Sequence, residues 1–419
     1  MTAAALLLTL SELSEAKISA ALLIFALSYL VFALGKFPGL KIDRPGAAMI
    51  GAVLMVALRI VRPGESIHFV DFSTVVLLFS MMLVVGNLRF AGLFDWTAGF
   101  VLRHLRRPQL LPAVVFISGL MSAFFVNDII CLAMVPLVLT ITRRMSVRPE
   151  RYLIAVATAS NIGSVATITG NPQNMLIGSF SGIGYLHFLV RLGPIALAGL
   201  FVDWGVLHWL DPRTDVTIAN VKEDLPAMPA NRGPLVKCMI VGALIVAGFI
   251  LGFPPAMVAA LGAAVLLITR TVEPHLVYDQ VNWGLLVFFT GLFIIVGGAQ
   301  KAGLIAHFLG VVQPLGLGKP AIFTLFVTLL GNLVSNVPAV MLMRSIIPTF
   351  ANPQRMWLLL AMASTLAGNL TITGSVANII VVETSRPEAN IGFREYLRIG
   401  LPVTLITLVM GTVWVWFVR

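Results

Sequence analysis

The residues of this chain that could handle a polar solute fall into two stretches, and each stretch occurs twice. Thr167, Thr169, Gly170, Asn171 and Asn174 lie within TITGNPQN, between two apolar runs; Thr371, Thr373, Gly374, Ser375 and Asn378 lie at the same places in TITGSVAN. Asn161, six residues ahead of Thr167, aligns with Thr365 of the second copy. FFVNDII carries Asn127 and Asp128, and LVSNVPA carries Ser335 and Asn336. Amides, hydroxyls and one carboxylate hold small ligands; they supply no nucleophile with a base. HExxH, paired intramembrane aspartates and a Ser/His arrangement are all missing, so no catalytic residue is assigned and the chain reads as a non-enzyme. The histidines are scattered near span ends and only Cys131 and Cys238 are present, which leaves no metal-site spacing and no disulfide framework. No cofactor is implied beyond a coupling ion.

The elements around these residues are membrane spans. The chain has 419 residues, 58% hydrophobic and 11% charged, with a mean hydropathy of +0.97; soluble domains carry about 25% charged residues. Apolar stretches of span length, without short alternating segments, predict an all-α integral membrane fold rather than a barrel. TAAALLLTL lacks a basic flank and does not read as a cleavable signal peptide. Ten spans are expected, near 18–34, 45–61, 73–89, 150–183, 190–210, 235–252, 254–270, 283–300, 355–382 and 398–418. Those at 150–183 and 355–382 are interrupted. Two further stretches, 110–141 and 318–347, break at their polar centres and read as re-entrant hairpins.

A net charge of +10 suggests nucleic acid in a soluble protein; here it reports topology. One set of loops collects Lys36, Lys41, Arg44, Arg103, Arg106, Arg107, Arg143, Arg144, Arg148, Arg151, Arg213, Lys222, Lys237, Arg270, Arg386, Arg394 and Arg398. The positive-inside rule makes that side cytoplasmic and puts both termini outside, in a plasma membrane of the bacterial inner-membrane type. Residues 1–210 form a first repeat, 211–234 a cytoplasmic linker and 235–419 a second repeat. Five crossings per repeat is an odd number, so the second copy is inverted. Inverted repeats with discontinuous helices are the architecture of secondary transporters, with the substrate site where the breaks meet.

At the breaks, Asn171, with Pro172 after it, and Ser375 are expected N-caps of restarting helices. Asn127 or Asp128, and Ser335 or Asn336, are the expected caps at the hairpin tips. Four helix N-termini directed to mid-membrane favour an anion or the oxygens of a polar solute; carbonyls near Gly163, Gly170, Gly368 and Gly374 offer a cation site instead. Asp128 is the acid expected to couple ions, since a carboxylate at membrane depth marks an ion path. Asp203, Ser160, Ser164 and Asn87 read as structural, and Cys131 as packing. Apart from Arg151 and Arg355 in their first turns, no Lys or Arg falls in either broken span or at either hairpin tip, which favours a small, weakly charged or neutral oxyacid.

At these residues the chain resembles the ion transporter superfamily, over nearly its whole length. SNIGSVATITGNPQN and FFVNDIICLAMVPLV are similar to segments of the arsenite permease and silicic-acid efflux branch; NhaD-type antiporters and divalent-anion/Na⁺ symporters are more distant. The resemblance implies proton-coupled extrusion of an arsenite- or antimonite-like oxyacid by alternating access, with Asp128 at the matching acidic position and H⁺ as coupling ion. Na⁺-coupled uptake of a carboxylate or inorganic anion is the alternative. The Ser-Asn-Thr triplets of the dicarboxylate symporters are replaced by Val126-Asn127-Asp128 and Ser335-Asn336-Val337. The expected partners are a small-molecule or anion substrate and the bilayer, with no nucleic acid; a homodimer and a cytoplasmic ATPase partner stay open.

Overall fold

The computed structural model describes residues 14–35, 41–210, 233–269, 273–386 and 388–417. TAAALLLTL, positions 211–232 of the expected linker, both termini, and Lys36, Arg213, Lys222 and Arg270 lie outside the described residues.

Among the described residues the protein is all-helical, and its elements run in the same order twice. The first half comprises α1 (Glu15–Leu34), α2 (Arg44–Ala57), α3 (Pro63–Phe69), α4 (Phe72–Phe90), α5 (Leu93–His104), α6 (Arg107–Phe124), α7 (Asn127–Arg144), α8 (Glu150–Ser164), α9 (Pro172–Ser181) and α10 (Tyr185–Leu210). The second comprises α11 (Gly233–Ile250), α12 (Pro255–Ile268), α13 (Pro274–Tyr278), α14 (Trp283–Lys301), α15 (Leu304–Val312), α16 (Pro320–Val334), α17 (Asn336–Met343), α18 (Pro353–Leu366), α19 (Val376–Ser385) and α20 (Phe393–Phe417). Seven of these helices are long and apolar enough to cross a membrane, and α2, α12, α16 and α19 are shorter apolar helices.

Packing follows the repetition. Helix α2 lies on α14 as α12 lies on α4; α6 lies on α8 as α16 lies on α18; α7 meets α19 and α17 meets α9; α10 runs beside α20. Each half therefore completes the other. The glycines make the closest of these approaches possible: a Cβ at Gly291 of α14 would stand 2.5 Å from Ala48 O of α2.

The expected span at 45–61 ends as a helix at Ala57, and that at 254–270 covers Pro255–Ile268. Fourteen residues of helix reach about 21 Å, less than the ~30 Å hydrocarbon core. Beyond α2 the chain turns at Arg59, φ 54°, and buries Ile60 and Val61 in non-helical backbone. The short helices α3, α5, α13 and α15 were not among the expected elements; they carry the chain along the ends of the long helices. On α3, Glu65 pairs with Lys301 at the end of α14 at 2.6 Å.

The broken helices are enclosed over most of their length: every residue of α8 from Arg151 to Ser164 is buried, as is every residue of α18 from Met356 to Leu366. In contrast, α1 and α11 expose Leu22, Leu23, Leu27, Val236, Ile240 and Leu244. Exposed leucines and valines on a polytopic helix face lipid.

Candidate functional site

The two hairpin tips and the two breaks meet. After Phe124 the chain crosses Phe125 and Val126 and starts α7 at Asn127, whose backbone N–H donates to Gly170 O of the first break at 2.9 Å. In the second tip a single residue, Ser335, separates α16 from α17, with φ 76° and ψ 153°. A positive φ is costly for a residue with a Cβ, so tertiary contacts hold this turn.

Capping at the breaks follows local rules. Asn171 is the N-cap of α9, its side chain accepting from Asn174 N at 2.8 Å, with Pro172 at the first helical position. Ser375 is the N-cap of α19 and accepts from Ala377 N at 3.3 Å. The tips correct the expectation made for them. Val126 occupies the N-cap of α7 without a side-chain bond, and Asn127 and Asp128 are already helical; Ser335 holds the N-cap of α17, also without a side-chain bond. The tip side chains are left free for tertiary partners.

Asn127 uses that freedom. Its Nδ2 donates to Asn161 Oδ1 at 3.0 Å, and Ser375 Oγ donates to the same oxygen at 3.1 Å. Asn161 Nδ2 donates to Asn369 Oδ1 at 2.8 Å and Asn378 Oδ1 at 2.9 Å. All four hydrogen-bonding positions of this amide are filled. Thr365, its counterpart on α18, meets the other break in the same way: it takes Asn171 Nδ2 at 3.2 Å and reaches Asn174 Oδ1 at 3.5 Å. Each broken helix thus buttresses the break of the opposite half.

Backbone carbonyls set the direction of this relay. Asn378 Nδ2 donates to Gly368 O (2.7 Å) and Thr371 O (3.0 Å), and Asn369 Nδ2 donates to Thr158 O (3.1 Å). Amide O and N are interchangeable in shape, so only the network can assign them. With both NH₂ groups committed to carbonyls, the two Oδ1 atoms must accept, Asn161 must give its NH₂ to them, and Asn127 must give its own NH₂ to Asn161. The Oδ1 of Asn127 is the end of the relay and has no partner; Asn336 Oδ1 is likewise buried without one.

Asn127, Asp128, Ser335, Asn336 and Ser375 line one cavity of about 180 Å³, together with Arg44, Pro45, Pro172, Gln173, Asn282, Leu285, Phe288, Val337 and Val376. The first residues of α7, α9, α17 and α19 all contribute, so four helix N-termini converge on it. Asp128, 9% exposed, is the acid in the lining.

The remaining residues singled out above do not reach this lining. Asn161, Asn174 and Asn378 sit behind it in the amide network. Gly170 and Gly374 allow close backbone passage: a Cβ at Gly170 would stand 2.2 Å from Ser164 O, and one at Gly374 would stand 2.9 Å from Gly368 O. Thr167 donates to Ala123 O and lies 3.3 Å from Thr169, which meets the Tyr185 hydroxyl at 2.9 Å. Thr371 donates to Asn332 Oδ1 at 3.3 Å and lies 3.3 Å from Thr373. The threonines therefore pin each break to a hairpin arm.

Several of the carbonyls expected to offer a cation site already have donors. Gly170 O takes Asn127 N, Ser164 O and Thr167 O take Asn174 Nδ2, and Gly368 O takes Asn378 Nδ2. Gly163 is helical and serves packing. Sequence reasoning missed the polar lining residues Arg44, Gln173 and Asn282, and Arg44 carries the charge among them. It lies in neither a tip nor a break, yet it lines the cavity while its Nε donates to Phe32 O at 2.9 Å. Its only sequence signal is a cation directly ahead of the apolar run of α2.

A family model described as citrate transporter (CitMHS) matches residues 29–367, most of the chain. The chain is 29% identical over 473 residues to the silicon efflux transporter LSI3 of Oryza sativa subsp. japonica, covering 92% of this chain and 95% of that protein. It is 29% identical to an uncharacterized transporter of Mycobacterium tuberculosis, covering 90% and 94%, and 25% identical to the putative transporter arsB of Dictyostelium discoideum, covering 89% and 87%. Its fold is similar to that of the YdaH transporter of Alcanivorax borkumensis, with a TM-score of 0.57 at 16% identity over 95% of this chain and 96% of that one. With the helical architecture and the matched length taken together, this multi-pass membrane protein belongs to the citrate transporter (CitMHS) family of secondary transporters, within the ion transporter superfamily.

Proposed function

We propose that the protein exports a small oxyacid that carries hydroxyl groups, arsenous, antimonous or silicic acid in type, in exchange for protons taken up by Asp128. One feature of the cavity carries this reading: four helix N-termini offer donors, while the tip amides Asn127 and Asn336 each hold an oxygen that lacks one. A fully ionised polycarboxylate brings acceptors only. A hydroxylated acid brings both, and its O–H groups would supply the donors those amide oxygens lack. The similarity to a silicon efflux transporter and to a putative arsB protein supports the same class. Asp128 binds a proton when the substrate is absent and releases it as the neutral acid moves, by alternating access of the cavity to the two faces. The repeats 1–210 and 235–419 supply the two halves of that motion, in an inner membrane with both termini outside.

Arg44 in the lining supports a second reading, Na⁺-coupled uptake of a carboxylate or inorganic anion, to which the family's citrate description also points. Flux into proteoliposomes decides between them. Arsenite, antimonite and silicic acid should move under a pH gradient and ignore Na⁺, while citrate, phosphate and sulfate should not move. Flux of citrate driven by Na⁺, or proton coupling left intact in Asp128→Asn, would overturn the first reading.

A further inference from the structure

Asp203 belongs to neither the cavity nor the amide network, yet it is a carboxylate at 0% exposure in the C-terminal half of α10. Thr158 Oγ1 donates to its Oδ2 at 3.0 Å; its Oδ1 has no partner. The helix beside it can be read in register. A Cβ at Gly411 of α20 would meet Ile195 Cγ2 at 3.3 Å, and one at Gly199 of α10 would meet Thr407 Cγ2 at 3.5 Å. These contacts are antiparallel, and one more turn along each helix brings Asp203 level with Val403 and Thr404.

Two further buried hydroxyls lie on that stretch of α20. Thr404 Oγ1 is without a partner, and the Tyr396 hydroxyl has Asn378 of α19 as its neighbour. The Tyr396 ring is directed along α20 toward Gly400, since a Cβ there would stand 3.0 Å from Tyr396 Cε1. Among the described residues, the helices packed on α10, namely α6, α8, α11, α18 and α20, bring no charged partner to Asp203; Tyr396 is the titratable group beside it.

A bare carboxylate cannot be held there. Without a counter-ion or several donors, burying its charge costs far more than the fold supplies. A carboxylic acid can be held, because protonation removes the charge and leaves an oxygen to accept from Thr158. We propose that Asp203 is a proton-binding site separate from Asp128, protonated in this arrangement and ionised only when it is exposed to water. One proton is taken from water on one side and returned to water on the other, and no bond to substrate is made or broken. The signal reaches the cavity through α8: Thr158 holds Asp203 with its hydroxyl and Asn369 with its carbonyl, one turn before Asn161.

Two measurements test this, and only the second rests on the transport reading. In infrared spectra at neutral pH, Asp128→Asn protein should keep a carboxylic-acid carbonyl band, and adding Asp203→Asn should abolish it. A band untouched by the second substitution, or absent beforehand, overturns the proposal. In proteoliposomes, Asp203→Asn should cut pH-gradient-driven flux at least tenfold, and Asp203→Glu should restore it in part. Full gradient-driven flux in Asp203→Asn would reduce Asp203 to a structural acid and overturn the proposal. Should the wild type move no oxyacid, the infrared result still stands by itself.

Discussion

At the scale of single residues, Asn161 decides how the candidate site is oriented. It is 2% exposed and donates twice and accepts twice. Asn161→Asp keeps the shape but replaces the NH₂ donor with an oxygen facing two amide oxygens. Each acceptor orphaned in this way costs about 1–3 kcal/mol. The variant should therefore melt several degrees lower in detergent, while Asn127 keeps the oxygen it donates to. Thr365→Ala should cost less, since its contacts are long, at 3.2–3.5 Å. Equal melting of Asn161→Asp and the wild type would mean that the amide relay contributes nothing. Asn127, Asn174, Asn336 and Asn378 stand out in the sequence by their duplicated placement, whereas the counterpart of Asn161 is Thr365. Which amide meets which was not legible there, because Asn161 bonds to residues more than 200 positions away.

At the scale of elements, the breaks exist because α8 and α18 end in glycine-bearing backbone that other helices approach closely. Gly163 is the extreme case: a Cβ there would lie 1.9 Å from Gly119 O of α6. Backbone meets backbone, and no side chain can rotate away. Gly163→Ala should push the first hairpin arm off the broken helix and destabilise the protein by about 3 kcal/mol or more, beyond the ordinary range for one methyl. Gly205→Ala on α10 is the control, with open space around its Cβ; it should be neutral or gain up to about 1 kcal/mol from helix propensity. Melting temperatures of the two variants check both. Local rules explain why some elements could be read directly. Asn171-Pro172 and Ser375 start helices as capping chemistry dictates. At the tips the same rules fail, because Asn127 is drawn into a distant amide network and Ser335 into a φ that no local preference favours. The short helices α3, α5, α13 and α15 show too few turns for periodicity to reveal.

At the scale of the whole molecule, the repetition of elements is exact in order but unequal in what it encloses. The cavity reaches the tips between Arg44-Pro45 of α2 and Asn282, Leu285 and Phe288 at the start of α14. The corresponding positions of the other halves, Pro254-Pro255 and Thr74 and Leu77, line a separate cavity of about 180 Å³ against α9 and Tyr185, and neither tip contributes to its lining. Repeated motifs made the two sets of elements legible in the sequence; which of two equivalent mouths would join the tips is a property of packing that no motif carries. The charge pattern places Arg44 and Asn282 on the cytoplasmic side and Ser73 outside, if the second repeat is inverted. Both native cysteines are buried, so single introduced cysteines report cleanly. Asn282→Cys should react with a membrane-impermeant maleimide in inside-out vesicles and resist it in right-side-out vesicles, and Ser73→Cys should do the reverse. Asp71, the N-cap of α4, and Asn282, the N-cap of α14, are equivalent positions of the two repeats. Opposite labelling of these two helix starts is therefore what inversion demands, and labelling of both from one side would rule it out.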